Sequence, residues 1–175
     1  AALDGNGFEM GTLSIHNCAL DGIGGIYVEH VGSVSIYGND FFGSFQQELL
    51  GVDDDAKHGI YVGWCGSVDI SSNYLNFFDW VAIATPYNES VRVVNNLLFG
   101  NTYVGIGSSY SGDVAVVNNT LVFNGNGIRV WDAQSAVVAN NIIYDSSSQM
   151  FDAWVTTVGG LVFENNDIYI EEPDI

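Results

Sequence analysis

Hydrophobic and polar residues alternate along this chain in one pattern that returns about every 23 residues. Its plainest copy is Val91–Asn96, an alternating apolar stretch that ends in two asparagines. Copies of this stretch begin at positions 13, 34, 68, 91, 114, 136 and 161. The last position of each copy is Cys18 in the first and then Asn39, Asn73, Asn96, Asn119, Asn141 and Asn166. The asparagines are 34, 23, 23, 22 and 25 residues apart, and a regular period of this size indicates a solenoid.

A second alternating stretch precedes each copy. Its pattern is Gly-Ile-x-Val, and the isoleucine lies eight residues before the copy begins, at Ile26, Ile60, Ile83, Ile106 and Ile128. Period-2 alternation predicts strands, and no repeat contains a run with the 3.6-residue period of a helix. Stacking each strand on its equivalent in the next repeat predicts an all-β protein, a single parallel β-helix of about seven coils. Its core is the inward Ile and Val columns, and the aligned asparagines form an internal hydrogen-bonded ladder.

The two patterns together resemble the repeats of the pectate-lyase-like superfamily of parallel β-helices, from about Leu13 to Ile170. The resemblance implies a single-stranded, right-handed parallel β-helix. It does not select a function, because that superfamily includes lyases, hydrolases, epimerases, phage tailspikes and adhesins.

The composition of the chain limits the kinds of molecule that it is expected to bind. The chain has 175 residues, which suits one domain, and a net charge of −18 with three basic residues, Lys57, Arg92 and Arg129. That charge argues against nucleic acid and anionic membranes as partners, and no apolar run is long enough to insert into a membrane. Because the chain opens at Ala1 without an initiator Met, we expect a segment of a larger chain or assembly. Two cysteines do not make a disulfide framework.

One interval is longer than the others because residues 43–58 form a loop insertion between Asn39 and Asn73. Insertions in solenoids often lie on the functional face. This one carries the candidate catalytic residues Asp53, Asp54, Asp55, Lys57 and His58. They predict either an acid/base site or a calcium site, and no other cofactor or metal is expected. The alternative is a solvated acidic loop, with His58 as part of the repeat.

The insertion also resembles β-helical polysaccharide hydrolases, which pair an Asp-Asp element with a His-Gly element. In that family the two elements lie on successive coils, whereas here they are joined in one loop, and no Arg-x-Lys element follows. Arg92 falls one coil beyond Asp69 on the same outward column, which predicts an ordinary cross-strand ion pair.

Aromatic residues recur on the outside of neighbouring coils. They are Trp64, Tyr87, Tyr110 and Trp131, with Tyr61 beside them. Such residues predict a platform for sugar rings, whose C–H faces are flat and apolar. The alternative is that the rings pack against one another at a corner of the coil.

The Val-x-Val strand is apolar on both faces in its later coils. Val94, Val117, Val137 and Val162 fall at outward positions, which predicts contact with another chain or with another part of this one. Expected partners are a second copy in a homo-oligomer, a head-to-tail filament, or flanking domains, and also a polysaccharide. Scattered exposed valines are the alternative.

Two functions follow from these patterns. The first is an extracellular or cell-surface β-helical module, structural or carbohydrate-binding, that acts within a larger assembly. The second is a polysaccharide-degrading enzyme, a lyase or a glycoside hydrolase, with its site near the 43–58 loop.

Overall fold

The computed structural model describes residues 2–4, 10–21, 25–43, 57–144, 146 and 149–169. Most of the 43–58 insertion, including Asp53, Asp54 and Asp55, lies outside these residues. The strands of the described part, in chain order, are β1 (Ala2–Asp4), β2 (Met10–His16), β3 (Ala19–Asp21), β4 (Ile26–Glu29), β5 (Val31–Tyr37), β6 (Asp40–Phe42), β7 (Ile60–Gly63), β8 (Ser67–Ser71), β9 (Tyr74–Asn76), β10 (Val81–Pro86), β11 (Ser90–Val94), β12 (Leu97–Phe99), β13 (Val104–Ser109), β14 (Asp113–Val117), β15 (Thr120–Val122), β16 (Asn126–Ala139), β17 (Ile142–Tyr144), β18 (Gln149–Glu164) and β19 (Asp167–Tyr169).

Each strand pairs in parallel with the equivalent strand of the next coil. Val91, for example, pairs with Val114, and Arg92 pairs with Ala115. A coil contains three strand positions, which we call the first, second and third sheets. β1, β4, β7, β10 and β13 lie in the first sheet, β2, β5, β8, β11 and β14 in the second, and β3, β6, β9, β12, β15, β17 and β19 in the third. β16 and β18 run without a break through the first and second sheets, so these two sheets are joined there.

This architecture is the predicted all-β parallel solenoid. The described strands stack as seven levels per sheet, which enclose about six full turns, slightly fewer than the seven coils expected. The columns that alternation placed inward form the core: Ile60, Ile83, Ile106, Val93 and Val116 are fully buried. Burying one such side chain contributes about 1.5–3 kcal/mol, so the stacked columns account for the cohesion between coils.

The asparagine ladder is present. Asn39, Asn73, Asn96, Asn119 and Asn141 are buried, and each donates its side-chain Nδ2–H to Oδ1 of the next asparagine, ending at Asn166. The five distances lie between 2.9 and 3.1 Å. Each of these asparagines also donates to a backbone carbonyl, as Asn96 does to Ile70 at 2.9 Å. Every amide of the column is therefore satisfied without water.

The first asparagine of each Asn-Asn pair forms a turn and does not take part in the ladder. Asn95, Asn118, Asn140 and Asn165 all adopt a left-handed backbone, with φ between 54° and 58°. Asparagine tolerates this region better than most residues, and the turn it makes separates the second sheet from the third. The pair therefore combines one turn residue with one ladder residue.

A second, shorter ladder lies after the third sheet, where the sequence patterns did not reveal it. Asn101 and Asn124 are buried, and Asn101 Nδ2 donates to Asn124 Oδ1 at 2.7 Å. Their separation of 23 residues equals one coil, which was the available signal.

Candidate groove on the first sheet

The outward face of the first sheet carries one column in which large and small residues follow each other. Tyr61 pairs with Ala84, Ala84 with Gly107, and Gly107 with Arg129. The Tyr61 ring stacks on the ring of Tyr27, one coil earlier, with centroids 4.5 Å apart and planes 4° apart. The next two positions hold almost no side chain, so a groove of about 260 Å³ opens over Ala84 and Gly107.

Mainly apolar side chains enclose this groove. Tyr61 closes one end along the solenoid axis and Arg129 closes the other. The buried Val81 and Val104 pack with Ala84 in the floor. The remaining lining includes Tyr103, Pro86, Ser109 and Trp131, and His58 lies beside Tyr61. An apolar cleft with a few polar groups at its ends is the usual form of a small-ligand site.

Gly107 keeps the groove open, although neither its backbone conformation nor its neighbours require a glycine at this position. A Cβ added there would lie 3.4 Å from Val81 Cγ1, which is ordinary contact, and its φ is not left-handed. At Gly127, by contrast, an added Cβ would lie 2.2 Å from the Met150 carbonyl oxygen. The fold therefore needs the glycine at 127, whereas the small residue at 107 serves the shape of the surface.

Three residues hold Arg129 in place at its end of the groove: Trp131, Tyr103 and Asp152. Its guanidinium lies over the ring of Trp131 at 4.9 Å and over the ring of Tyr103 at 5.7 Å. Its Nε is 3.3 Å from Asp152 Oδ2, and Trp131 Nε1 donates to the same oxygen at 3.0 Å. Arg129 Nη1 also donates to the Tyr103 hydroxyl at 3.2 Å. The cation is thus paired and fixed, and it presents a polar wall rather than an unpaired charge.

The family model described as a right-handed β-helix region matches residues 3–171. The chain belongs to this right-handed β-helix family. The match confirms the right-handed winding that the sequence resemblance implied. Comparison with curated proteins and with solved structures gives no match. Within the described residues of the β-helix, no helix is long and apolar enough to cross a membrane.

The predicted aromatic platform has a different geometry in this β-helix. Trp64 stacks on Tyr87 at 4.6 Å, and Tyr87 stacks on Tyr110 at 5.0 Å. His30 stacks on the other side of Trp64 at 5.9 Å, so Trp64 and Tyr87 present their edges to solvent, and the rings pack against one another as in the alternative interpretation. Trp131 belongs to another column, where it pairs with Ser109 and lines the groove beside Arg129, at the opposite end from Tyr61.

The backbone of this aromatic stack is unusual. Trp64, Tyr87 and Tyr110 all have φ between 51° and 59°, a region that bulky residues rarely adopt. The other positions with this conformation in the described residues are mainly Asn, Ser or Gly, with exceptions at His30, Phe77, Phe123 and Asp132. The stacking between coils offsets part of the cost, since one aromatic pair contributes about 0.5–1.5 kcal/mol.

Of the candidate catalytic residues, the structure describes Lys57 and His58. His58 is buried, and its Nδ1 lies 3.3 Å from the Val81 carbonyl oxygen, which can only accept a hydrogen bond. Its ring centroid is 5.4 Å from that of Tyr61. Calcium binding and acid/base chemistry by Asp53, Asp54 and Asp55 stay predictions. Among the described side chains, no group of three His, Cys, Asp or Glu residues has the geometry of a metal site.

Arg92 and Asp69 form the predicted ion pair between neighbouring coils, with Arg92 Nη1 2.6 Å from Asp69 Oδ2. Both side chains are substantially exposed, so the pair contributes little to stability. The pair lies on the second sheet, away from the groove, which makes Arg92 a useful control for Arg129.

Two of the four valines of the predicted apolar face are exposed, and contact through this face stays a prediction. Val137 and Val162 are exposed at 38% and 44%, and Val117 is half-buried. Val94 is buried, because it lies between its paired neighbours Ser71 and Val117, and it does not contribute surface. The outward positions of the third sheet extend this face. From β9 to β17 they are Tyr74, Asn76, Leu97, Phe99, Thr120, Val122, Ile142 and Tyr144, none of which is charged.

Proposed function

We propose that this β-helix is an extracellular or cell-surface carbohydrate-binding module and that its ligand is a neutral sugar bound in the groove of the first sheet. One observation carries the proposal. The small side chains at Ala84 and Gly107 leave a groove of about 260 Å³ that aromatic rings line, those of Tyr61, Tyr103 and Trp131. A pyranose offers a flat C–H face that packs on such a ring.

The charges support a neutral ligand. The net charge of −18 repels polyanionic glycans, and the one arginine that lines the groove is already paired with Asp152. Polar atoms at the groove, such as the Ser109 and Tyr103 hydroxyls, suit the hydroxyl groups of a sugar. Apolar lining with a few polar groups gives packing from the rings and orientation from the hydrogen bonds.

Isothermal titration calorimetry with a panel of neutral and acidic oligosaccharides tests this proposal. Gly107→Val fills the groove floor, and Gly11→Val adds the same side chain at a strand position where nothing lies within 4 Å. We expect binding of a neutral glycan by the wild type and by Gly11→Val, and at least tenfold weaker binding by Gly107→Val. Equal affinity in the two variants would place the ligand elsewhere.

Polysaccharide cleavage is the alternative function. Glycoside hydrolysis uses two carboxyl groups about 5–10 Å apart. Asp152, which pairs with the groove residue Arg129, is the candidate for one carboxylate, and the second would have to come from Asp53, Asp54 or Asp55. A reducing-sugar assay, paired with an absorbance assay for unsaturated lyase products, tests this alternative. Release of either product by the wild type, lost in Asp152→Asn, would favour the enzyme.

Self-association is a second candidate role, favoured by the uncharged outward positions of β9 to β17 in the third sheet. We define the apolar surface as Leu97, Val117, Val137, Ile142 and Val162. A second copy of the chain is the proposed partner. Each copy has a net charge of −18, so two copies repel each other unless their contact surface is free of carboxylates. A head-to-tail contact would place Cys18 against Asn166 in the ladder column, where the thiol offers no amide oxygen. The side-by-side contact is therefore preferred, and flanking domains of a longer chain are the other proposed partner.

A further inference from the structure

We infer that the Tyr103 hydroxyl is the hydrogen-bond donor that orients a sugar in the groove, and that Arg129 is the residue that positions this hydroxyl. The inference rests on the proposed carbohydrate binding and adds the group that distinguishes one hydroxyl of the sugar from the others. Three observations support it: the fixed Tyr103 ring, the bond that its hydroxyl accepts, and the use of neighbouring donors within the fold.

The Tyr103 ring is fixed by the coils on both sides of it. Its ring stacks on the ring of Trp80, with centroids 4.4 Å apart and planes 16° apart, and the backbones of the two residues are hydrogen-bonded. On the side of the next coil, the Arg129 guanidinium lies 5.7 Å from the ring centroid. Tyr103 is nevertheless 37% exposed and lines the groove. A ligand in the groove can therefore reach this side chain while the stack stays in place.

The Tyr103 hydroxyl accepts one hydrogen bond and must direct its own proton elsewhere. Arg129 Nη1 donates to the hydroxyl oxygen at 3.2 Å, and a guanidinium has no acceptor for a bond in return. Asp152 holds Arg129 at Nε and Trp131 lies under the guanidinium, so Nη1 stays directed at the hydroxyl. The described part of the chain offers the phenolic proton no acceptor. A bond received from a cation also polarises the hydroxyl and strengthens it as a donor.

Other donors at the groove are already used by the fold. Trp131 Nε1 donates to Asp152 at 3.0 Å, and Ser108 Oγ donates to a backbone carbonyl at 3.2 Å. The Ser109 hydroxyl rotates and can donate or accept, so it does not select one kind of partner. Tyr103 combines a fixed position with a proton that is available to a ligand. The group that it selects is an acceptor, and each hydroxyl oxygen of a sugar has two lone pairs that accept.

Removal of the Tyr103 hydroxyl tests the inference. Tyr103→Phe keeps the ring that stacks on Trp80, and Tyr37→Phe is the matched control, because Tyr37 is 39% exposed and also stacks on a neighbouring ring, on the second sheet. The probes are cellotetraose, laminaritetraose, mannotetraose, galactotetraose and xylotetraose, with their monodeoxy derivatives, titrated by calorimetry. For the tetrasaccharide that binds, we expect Tyr103→Phe to weaken binding about three- to tenfold and Tyr37→Phe to leave it unchanged. One monodeoxy derivative should weaken binding to the wild type by the same factor and bind Tyr103→Phe as the parent sugar does.

A double-variant comparison tests the positioning role of Arg129. Arg129→Met keeps an unbranched side chain beside Trp131 and removes the donor to the Tyr103 hydroxyl. We expect this change to weaken binding in the wild type and to have no further effect when it is added to Tyr103→Phe. An equal loss in both backgrounds would mean that Arg129 supports the groove in another way, and would overturn its positioning role.

The remaining outcomes separate the inference from the proposed function. Equal affinity of the wild type and Tyr103→Phe for a bound tetrasaccharide would overturn the inference and keep carbohydrate binding. A loss in Tyr103→Phe that persists with every monodeoxy derivative would assign the effect to the shape of the groove, and would also overturn the inference. Absence of binding by the wild type to every tetrasaccharide would overturn both.

Discussion

Asn96 directs two donors at one atom of Asn119: its backbone N–H and its side-chain Nδ2–H both lie 3.0 Å from Asn119 Oδ1. The same double contact joins Asn119 to Asn141 one coil further on. Each ladder amide therefore ties its own backbone and side chain to the next coil. Loss of one member leaves buried donors without acceptors, which costs about 1–3 kcal/mol for each.

The ladder predicts that the two asparagines of one pair differ in importance. Asn119→Leu leaves the buried backbone N–H of Asn96 without its acceptor and removes the bonds that the Asn119 amide makes to Val93 and Asn141. We therefore expect a loss of at least about 3 kcal/mol in the free energy of unfolding. Asn118→Ala keeps the ladder and adds the strain of a left-handed alanine, about 1–2 kcal/mol. Urea unfolding followed by circular dichroism measures both. Equal losses in the two variants would contradict the separate roles.

Two glycines on neighbouring coils are predicted to respond differently to the same methyl group. Gly127→Ala forces a Cβ against the Met150 carbonyl, so we expect a loss of about 1–3 kcal/mol. Gly107→Ala meets only ordinary contacts and should change stability by less than about 0.5 kcal/mol. Thermal unfolding of the two variants gives the comparison. A large loss at 107 would mean that the fold, and not the groove, requires that glycine.

The two cysteines should differ in reactivity. Burial raises the pKa of the Cys65 thiol, whereas Cys18 is exposed. A thiol-reactive reagent at pH 8 should therefore label Cys18 rapidly and label Cys65 only as the protein unfolds. Single-cysteine variants, Cys18→Ser and Cys65→Ala, separate the two rates. Rapid labelling of Cys65 in the folded protein would contradict its place in the core.

The same thiol makes stability depend on alkaline pH. Because the folded state raises the pKa of Cys65, its neutral form is favoured, and the contribution is complete below the ordinary thiol pKa of about 8.5. It is lost as pH rises through the raised, folded-state pKa. We expect Cys65→Ala to remove this part of the decline, measured as the urea midpoint between pH 8 and pH 10.

Self-association through the apolar surface is predicted to be sensitive to charge. Val137→Lys combined with Ile142→Lys places two cations at exposed apolar positions, 38% and 48% exposed, and should convert a dimer to a monomer. Ser67→Lys, an exposed position on the second sheet, is the matched control. Sedimentation velocity distinguishes the species. A wild type that is monomeric at all concentrations would refute the self-association role.

The repeat alone was sufficient to predict the fold. Ile60, Val93 and Asn96 each recur at one-coil intervals, and a column of identical residues has only one stacked arrangement that buries it. Val94 was placed outward correctly by alternation, but its burial depends on the neighbours that cover it on both sides. The alternating pattern predicts whether a side chain points inward or outward, and it does not predict how much of that side chain solvent can reach.

The groove was harder to predict. The column directly follows the isoleucine of each Gly-Ile-x-Val stretch and consists of Tyr61, Ala84, Gly107 and Arg129, so the sequence contains the gap between two large residues. The stacking of Trp64 on Tyr87 was not readable, because ring orientation depends on side-chain rotamers that spacing does not determine. The 43–58 insertion has no counterpart in the other coils, so no column predicts its path.

Titration of the protein with a neutral oligosaccharide, followed by the ¹H–¹⁵N resonances of individual residues, tests the central claim most directly. If the groove binds the sugar, the backbone amide of Gly107 and the indole N–H of Trp131 will shift with one saturating curve. The Nε–H of Arg92, on the second sheet, will stay in place. Shifts at Arg92 and along the second sheet, with Gly107 and Trp131 unmoved, would contradict a sugar site over Ala84 and Gly107.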